Sequence, residues 1–325
     1  MKNIFSTLLV AIVTLTMIGC AGTTAKPQDP KTVQNVQIFE ANNKDGKITP
    51  KTIEAAFDSA GLVVGGNNNM NNPFKLRFDK THYNTYNLAV FHNSNLTLKL
   101  IKKYNNFGAL SPLTMSIWSD DEKHTIKVAT LTTAGMARAG ELPANDKDLI
   151  AYSALIEKAL RAAMPNGKFI KTNRIMEYPE KSYATNWVVE IDEDSAADPE
   201  EYKEDFQAEF EGEMEPIGFL FPNYINMTEE IFDEAGYTEF DFYDTYSICK
   251  FDVIFPVSEK YPEAGAWAPC SFYMYKKKGV NEMHLGFLSV DNWVKTLNMS
   301  EDDEGVKKLR EAQKMIEDIV NEIIE

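Results

Sequence analysis

Two stretches of this chain repeat one pattern at a separation of 157 residues. GALSPLTMSIW runs from Gly108 to Trp118, and GAWAPCSFYMY runs from Gly265 to Tyr275. Gly, Ala and Pro occupy the same places in both stretches, and an apolar or aromatic residue ends each of them. Internal similarity at a fixed separation is typical of a duplicated structural unit. The chain is therefore predicted to contain two copies of one domain.

Further features match in the same order along the chain. KVATLTTAGM lies 157 residues before HLGFLSVDNW, and each copy ends in a long helical pattern. Upstream, we match Tyr83-Asn84-Thr85-Tyr86 with Tyr243-Asp244-Thr245-Tyr246. These matches place the two copies at residues 35–165 and 175–325.

Each copy is predicted to run strand, helix, helix, strand, helix, hairpin, helix. Thr49-Pro50 is expected to begin a helix in copy one, because Thr caps free amides and Pro fits the first helical position. Asp198-Pro199 is expected to do the same in copy two. A sheet covered by helices would bury the apolar faces, which predicts an α/β fold (α+β, two layers) with a mixed sheet in each copy. The strands predicted for copy two are Ile217–Phe221, Tyr246–Phe255, Cys270–Tyr275 and Glu282–Leu288.

The sequence resembles a known family at this point. YNLAVFHNSNLTLKL, GALSPLTMSIW and TIKVATLTT resemble the domain-of-unknown-function family 302 (DUF 302), and YSICKFDVIF with GAWAPCSFYMY resembles it more loosely. The resemblance implies a compact α/β domain that can pair with a second copy. It implies no mechanism, because the family has no agreed activity and no established catalytic residues. We therefore expect the two repeats to pair within the chain as a fused pseudo-dimer.

The N-terminus has the pattern of an export signal. Residues 1–19 combine one Lys with a short apolar stretch, as a signal peptide does. Met17-Ile18-Gly19-Cys20 resembles the bacterial lipobox, which implies a lipid on Cys20 and a flexible tether over residues 20–34. The alternative is an ordinary secretory signal with an incidental Cys. Ala21, where an Asp would favour inner-membrane retention, predicts a protein of the outer membrane that faces the periplasm.

The charge of the chain limits its partners. The net charge is −16, which disfavours binding to nucleic acid and electrostatic docking on anionic lipid. The N-terminal lipid is the predicted membrane contact, and other envelope proteins are candidate partners. No cofactor or metal is predicted, because the sequence has no P-loop, no dinucleotide fingerprint and no histidine pair with metal-ligand spacing.

Two cysteines remain after the lipobox. Cys249 and Cys270 lie on predicted strands, and we match them with the apolar Ala89 and Leu113, which indicates inward positions. In an oxidising compartment they are a candidate disulfide, and the alternative is a pair of buried thiols. A redox-active pair is less favoured, because there is no C-x-x-C motif.

Aromatic and acidic stretches supply the other candidates. Aromatic rims with a few hydroxyls are common in ligand pockets, although tyrosines at strand ends also pack cores. The loop Ala41–Glu54 has part of an EF-hand pattern but lacks two main ligands, which favours a polar turn, and the acidic stretch Glu190–Glu215 is typical of a solvated linker and helix. The candidate ligand-binding residues are Tyr83, Thr85, Tyr86, Tyr243, Thr245 and Tyr246.

These observations favour a lipid-anchored envelope protein that binds a small ligand or another protein without catalysis. A site is expected in the cleft between the copies. The first alternative is an envelope enzyme, either redox-active through Cys249 and Cys270 or hydrolytic. The second alternative is a structural envelope lipoprotein.

Overall fold

The computed structural model describes residues 34–172, 174, 182 and 184–325. The predicted signal peptide, Cys20 and nearly all of the tether lie outside the described residues. We call residues 34–172 the first half and residues 184–325 the second half. The predicted α/β class is confirmed, because the chain forms two sheets with helices packed on them. Within the described residues, no helix is both long enough and apolar enough to cross a membrane.

The first half contains a six-stranded sheet in the order β2-β3-β4-β5-β1-β6. Every neighbouring pair of its strands runs antiparallel. Its elements are β1 (Val36–Asn42), α1 (Pro50–Ser59), β2 (Val63–Asn69), α2 (Asn71–Phe78), β3 (Tyr86–His92), α3 (Ser94–Lys103), β4 (Leu113–Asp120), β5 (Thr125–Leu131), α4 (Thr133–Ala139), α5 (Lys147–Ala163) and β6 (Lys168–Ile170).

The second half contains a five-stranded sheet in the order β8-β9-β10-β11-β7, which is the order of the first sheet without its last strand. Its neighbouring strands are also antiparallel, so both sheets are antiparallel where mixed sheets were expected. Its elements are β7 (Ala184–Glu190), α6 (Glu193–Ala197), α7 (Pro199–Met214), β8 (Leu220–Asn226), β9 (Phe240–Cys249), α8 (Phe251–Lys260), β10 (Cys270–Lys277), β11 (Glu282–Leu288), α9 (Asp291–Leu297) and α10 (Glu304–Ile324).

The separation of 157 residues is kept through most of the two halves. The starts of β2 and β8, of α3 and α8, of β4 and β10, and of α5 and α10 are each 157 residues apart. Both repeated stretches contain a cis X-Pro bond, at Ser111-Pro112 and at Ala268-Pro269. The two sheets can therefore be compared residue by residue.

Strand pairing corrects the match between the tyrosine stretches. Tyr86 lies opposite Trp118, and Tyr243 lies opposite Tyr275, which is 157 residues beyond Trp118. Tyr86 is therefore equivalent to Tyr243 and not to Tyr246. A shift of three residues, being odd, exchanges the two faces of a strand. The match of the repeated Tyr-x-x-Tyr spacing was wrong for this reason.

The helix starts follow the predicted chemistry. The Thr49 hydroxyl accepts a hydrogen bond from the Thr52 amide at 3.2 Å, and Asp198 accepts one from the Glu201 amide at 3.2 Å. The strand predicted over Tyr246–Phe255 was wrong, because β9 ends at Cys249 and α8 begins at Phe251. The segment after Cys249 is a short apolar run, whose periodicity does not distinguish a buried strand from a buried helix.

The two repeated stretches form the contact between the halves. Residues 105–110 and 262–266 are short 3-10 helices, and each lies against the central strands of the opposite sheet. A Cβ on Gly108 would lie 2.6 Å from the Cβ of Tyr273, and one on Gly265 would lie 2.4 Å from the Cβ of Ser116. Ser116 and Tyr273 are equivalent positions, so the packing is reciprocal. Glycine is required at both places because the backbones approach too closely for a side chain.

Hydrogen bonds follow the same reciprocity. The Tyr243 hydroxyl donates to the Asn105 carbonyl at 2.6 Å and accepts from the Gly108 amide at 3.0 Å. The equivalent Tyr86 hydroxyl donates to the Pro262 carbonyl at 3.5 Å. The same surface of each half is therefore used twice, as in an isologous interface.

Candidate functional site: a cavity between the halves

The predicted tyrosines divide between two places. The Tyr83 hydroxyl donates to the Ser258 carbonyl at 3.2 Å, and Tyr86 and Tyr243 bond the opposite half as described above. These three hydroxyls are therefore occupied in the contact between the halves. Tyr246 lies elsewhere, in a surface groove of the second half, where its hydroxyl donates to Glu211 at 2.8 Å.

The two predicted threonines do not join a common site. Thr85 is half-buried, and its backbone amide donates to the Ser119 hydroxyl at 3.1 Å. Thr245 is fully buried, and its hydroxyl has no hydrogen-bond partner among the described residues. The six predicted ligand-binding residues thus lie in the inter-half contact, in the core and in one groove.

A cavity of about 330 Å³ does lie between the halves. We call it the inter-half cavity. The first half contributes the end of β2, the start of α2 and one residue of β3, and the second half contributes β8, the end of β9, the start of α8 and the cis proline. Its lining residues are Asn68, Asn69, Met70, Asn72, Pro73, Leu88, Leu220, Pro222, Cys249, Phe251 and Pro269.

The inter-half cavity combines an amide edge with an apolar wall. Asn68, Asn69 and Asn72 all come from the first half and are exposed, so their amides lie where the cavity meets solvent. Met70 and Leu88 are buried, and the second half contributes the ring of Phe251. Small-molecule sites commonly have volumes of about 300–1,000 Å³ and a mostly apolar lining with a few polar groups.

Irregular strand geometry shapes this cavity. The pairing of β8 with β9 shifts between Leu220 and Asn223, which is a bulge in an edge strand. At this bulge, a Cβ on Gly65 of β2 would lie 2.6 Å from the Asn223 side-chain oxygen. The two edge strands therefore touch beside the cavity, and bulges of this kind are common next to sites.

The predicted cysteine pair borders the same region. Cys249 lines the inter-half cavity, and Cys249 and Cys270 both line a second, apolar cavity of about 60 Å³ in the second half. Both are free thiols, and burial raises the pKa of each to about 12. Because the thiolate is the reactive form, this environment disfavours redox chemistry at the pair. The disulfide stays a prediction.

The structure also changes the residue that corresponds to Cys249. Cys249 ends β9 as His92 ends β3, so its counterpart is His92 and not Ala89. His92 is buried, its Nδ1 has no hydrogen-bond partner among the described residues, and burial lowers its pKa. A position that is apolar in one half is therefore polar in the other.

The loop with part of an EF-hand pattern forms a turn. The Asn43 side chain accepts from the Ile48 amide at 2.9 Å and donates to the Ile48 carbonyl at 2.7 Å. In the acidic stretch, Asp192 and Asp198 cap α6 and α7. Across the part of the chain that the structure describes, no group of three or more His, Cys, Asp or Glu residues is arranged to hold a metal.

Sequence reasoning missed a buried acid in the second half. Asp244 is fully buried in β9, and one of its oxygens lies 3.8 Å from Lys203 Nζ and 3.4 Å from Gln207 Nε2. Its Oδ1 has no hydrogen-bond partner among the described residues. Burial raises its pKa to about 7, against the opposing effect of Lys203. The available signal was one Asp inside the aromatic strand FDFYDTYSIC.

Comparisons with known proteins give little for this chain. No protein-family model matches it, and no curated protein matches it. Among solved structures it is similar to an uncharacterized conserved protein DUF302 from Bacillus stearothermophilus, at 14% sequence identity and a TM-score of 0.35. That match covers 45% of this chain and 100% of the other. A likeness at this TM-score carries no argument, so the function must be inferred from the site itself.

Proposed function

We propose that this protein binds a small molecule in the inter-half cavity, without catalysis. The observation that carries the proposal is the cavity itself, which has a volume of about 330 Å³ and needs residues of both halves to close it. Sites between two packed units are a common place for ligands. The duplication thus has a functional consequence, since neither half alone forms the cavity wall.

The lining predicts a neutral, partly apolar ligand. Of the residues that line the cavity, Cys249 has the one titratable side chain, and its pKa of about 12 keeps it uncharged at neutral pH. A charged ligand would lose hydration and gain no opposite charge. Three asparagine amides at the edge suit a ligand that carries hydrogen-bonding groups at one end.

We also propose that the protein is anchored in the outer membrane through a lipid on Cys20 and faces the periplasm. The support is the sequence MKNIFSTLLVAIVTLTMIGC with Ala21 after it. Intact mass measured on protein from the membrane fraction is expected to show residues 1–19 removed and a lipid on Cys20. A Cys20→Ala variant is expected to leave the membrane fraction, and a variant that stays there would contradict the anchor.

The binding proposal can be tested with a neutral probe and a matched pair of variants. The probe is Nile red, an uncharged dye whose fluorescence rises in apolar surroundings. Asn72→Trp places a large ring at the cavity edge, and Glu229→Trp places the same ring at the equivalent exposed position of the second half, outside the cavity lining. We expect the unchanged protein and Glu229→Trp to bind the dye, and Asn72→Trp to lose most of the binding.

Native mass spectrometry on protein from its own cells supplies the second measurement. Extra mass that is held by the unchanged protein and by Glu229→Trp, but is absent from Asn72→Trp, would support the proposal. Equal dye binding by both variants would contradict it. A bare native mass together with no dye fluorescence would contradict it as well.

A further inference from the structure

A second concave surface lies on the other side of β8, within the second half. It has a volume of about 680 Å³ and shares Leu220 and Pro222 with the inter-half cavity. We call it the second-half groove. Its lining residues are Gln207, Glu211, Glu215, Leu220, Phe221, Pro222, Tyr224 and Tyr246.

Three aromatic rings form one wall of the second-half groove. The Tyr224 and Tyr246 ring centroids are 5.0 Å apart with planes inclined at 51°, and Phe221 and Tyr246 are 5.4 Å apart at 67°. Rings inclined to one another in this way present their faces in different directions. An inclined set of aromatic faces is the arrangement that recognises ammonium groups by cation–π attraction.

The opposite wall is acidic. Glu211 and Glu215 lie on or directly after the last turn of α7, and no Lys or Arg lines the groove. The Tyr246 hydroxyl donates to one oxygen of Glu211 at 2.8 Å, which fixes this carboxylate beside the rings. The lining therefore carries negative charge next to aromatic faces.

A buried ionisable pair lies directly behind this surface. Asp244 is fully buried, its Oδ2 lies 3.4 Å from the Gln207 amide, and its Oδ1 has no partner among the described residues. Lys203 is also buried and pairs with Glu200 on its own helix. The positive charge of Lys203 therefore lies between two carboxylates, and the surface that faces the groove stays acidic.

The equivalent surface of the first half lacks all three rings. The counterparts of Phe221, Tyr224 and Tyr246 are Val64, Asn67 and Ala89. Asp58, the counterpart of Glu215, accepts a hydrogen bond from the backbone amide of Val64 at 3.0 Å. The common fold therefore does not require aromatic rings or an unoccupied carboxylate at this place.

We infer that the second-half groove is a binding site for an organic cation, in which the three rings hold the ammonium group and Glu211 and Glu215 balance its charge. This site is separate from the proposed function, since its lining differs from that of the inter-half cavity in all but two residues. The ligand class is a small molecule with a methylated or primary ammonium head.

Choline and its uncharged carbon isostere, 3,3-dimethylbutan-1-ol, test this inference by calorimetric titration at constant ionic strength. The two probes have the same shape, so a difference between them reports the charge. We expect choline to bind and the isostere to bind at least about tenfold more weakly, the size expected for a cation–π contact with an adjacent carboxylate. Tyr224→Leu keeps an apolar side chain at a position that is 42% exposed, and it should lose choline binding about tenfold.

Two further variants separate the site from general effects. Asn67→Leu is the matched change in the first half and should leave choline binding unchanged, as should Asn72→Trp in the inter-half cavity. Glu211→Gln should weaken choline and not the isostere. No binding of choline, equal binding of the two probes, or equal losses in Tyr224→Leu and Asn67→Leu would overturn the inference.

Discussion

The two halves share a strand order but differ in the polar residues at one equivalent place. In the first half, Asn87 donates to Asn67 at 2.9 Å, and Asn67 donates to Glu54 at 2.9 Å. In the second half, the counterparts of Asn87 and Asn67 are Asp244 and Tyr224. A chain of amides with matched donors and acceptors has thus been replaced by a buried acid with one unpartnered oxygen.

The contact between the halves has not diverged in this way. Each glycine of the contact lies against the equivalent strand of the other sheet, and each buried tyrosine bonds the equivalent carbonyl. Packing at such short distances permits few alternatives, because interiors are close-packed. The comparison indicates that the joint constrains the sequence of both halves, while the face under α1 and α7 is open to change.

Changing the acid to the amide of the first half should have the largest effect. Asp244 has a pKa of about 7 when folded, against 3.8 for an ordinary Asp. Between these values the folded protein holds a proton that the unfolded chain has released, so stability falls as pH rises through this window. The loss totals about 4 kcal/mol by pH 8. Asp244→Asn should remove it, measured by urea unfolding at pH 4 and pH 8.

The reverse change supplies the control. Asn87→Asp places a carboxyl beside the Asn67 oxygen in the first half and should add a similar loss of stability with rising pH. If Asp244→Asn leaves the pH dependence of the unfolding free energy unchanged, Asp244 is ionised in the folded protein and the contrast between the halves is only steric.

The two glycines of the joint should respond alike. Gly108→Ala and Gly265→Ala each place a Cβ within 2.6 Å of atoms in the opposite half, and overpacking of this kind costs about 1–3 kcal/mol. Gly212→Ala in α7, where a Cβ meets nothing within 4 Å, should instead raise the unfolding free energy by up to about 1 kcal/mol. Chemical unfolding measures all three. A neutral Gly265→Ala beside a damaging Gly108→Ala would break the reciprocity.

Sequence reasoning reached the repeat, the α/β class and the helix caps, because these depend on local chemistry and on a constant separation. It missed β2, whose sequence VVGGNNN has little strand propensity and is held by pairing with β3. It also placed the tyrosine match three residues out of register. Register is set by the pairing of neighbouring strands, which a single spacing in the sequence does not reveal.

The functional surfaces were harder to predict for a related reason. The inter-half cavity is made from residues whose positions differ by up to about 200, and its shape depends on how two sheets meet. The asparagines of β2 and α2 looked like loop residues in the sequence, and the buried Asp244 looked like part of a repeated motif. Only the packing shows that one group faces a cavity and the other lies behind a groove.

The smallest predicted effect tests whether the two hydroxyls of the joint are equally important. Tyr243 makes two hydrogen bonds, at 2.6 and 3.0 Å, whereas its counterpart Tyr86 makes a single bond at 3.5 Å. Tyr243→Phe leaves the Asn105 carbonyl and the Gly108 amide unpaired and should cost about 1–2 kcal/mol of unfolding free energy. Tyr86→Phe should cost about 0.5 kcal/mol, because a bond near the distance limit contributes little. Equal losses in urea unfolding would mean that the joint is symmetric in energy as well as in geometry, and the divergence of the halves would then be confined to the face under α7.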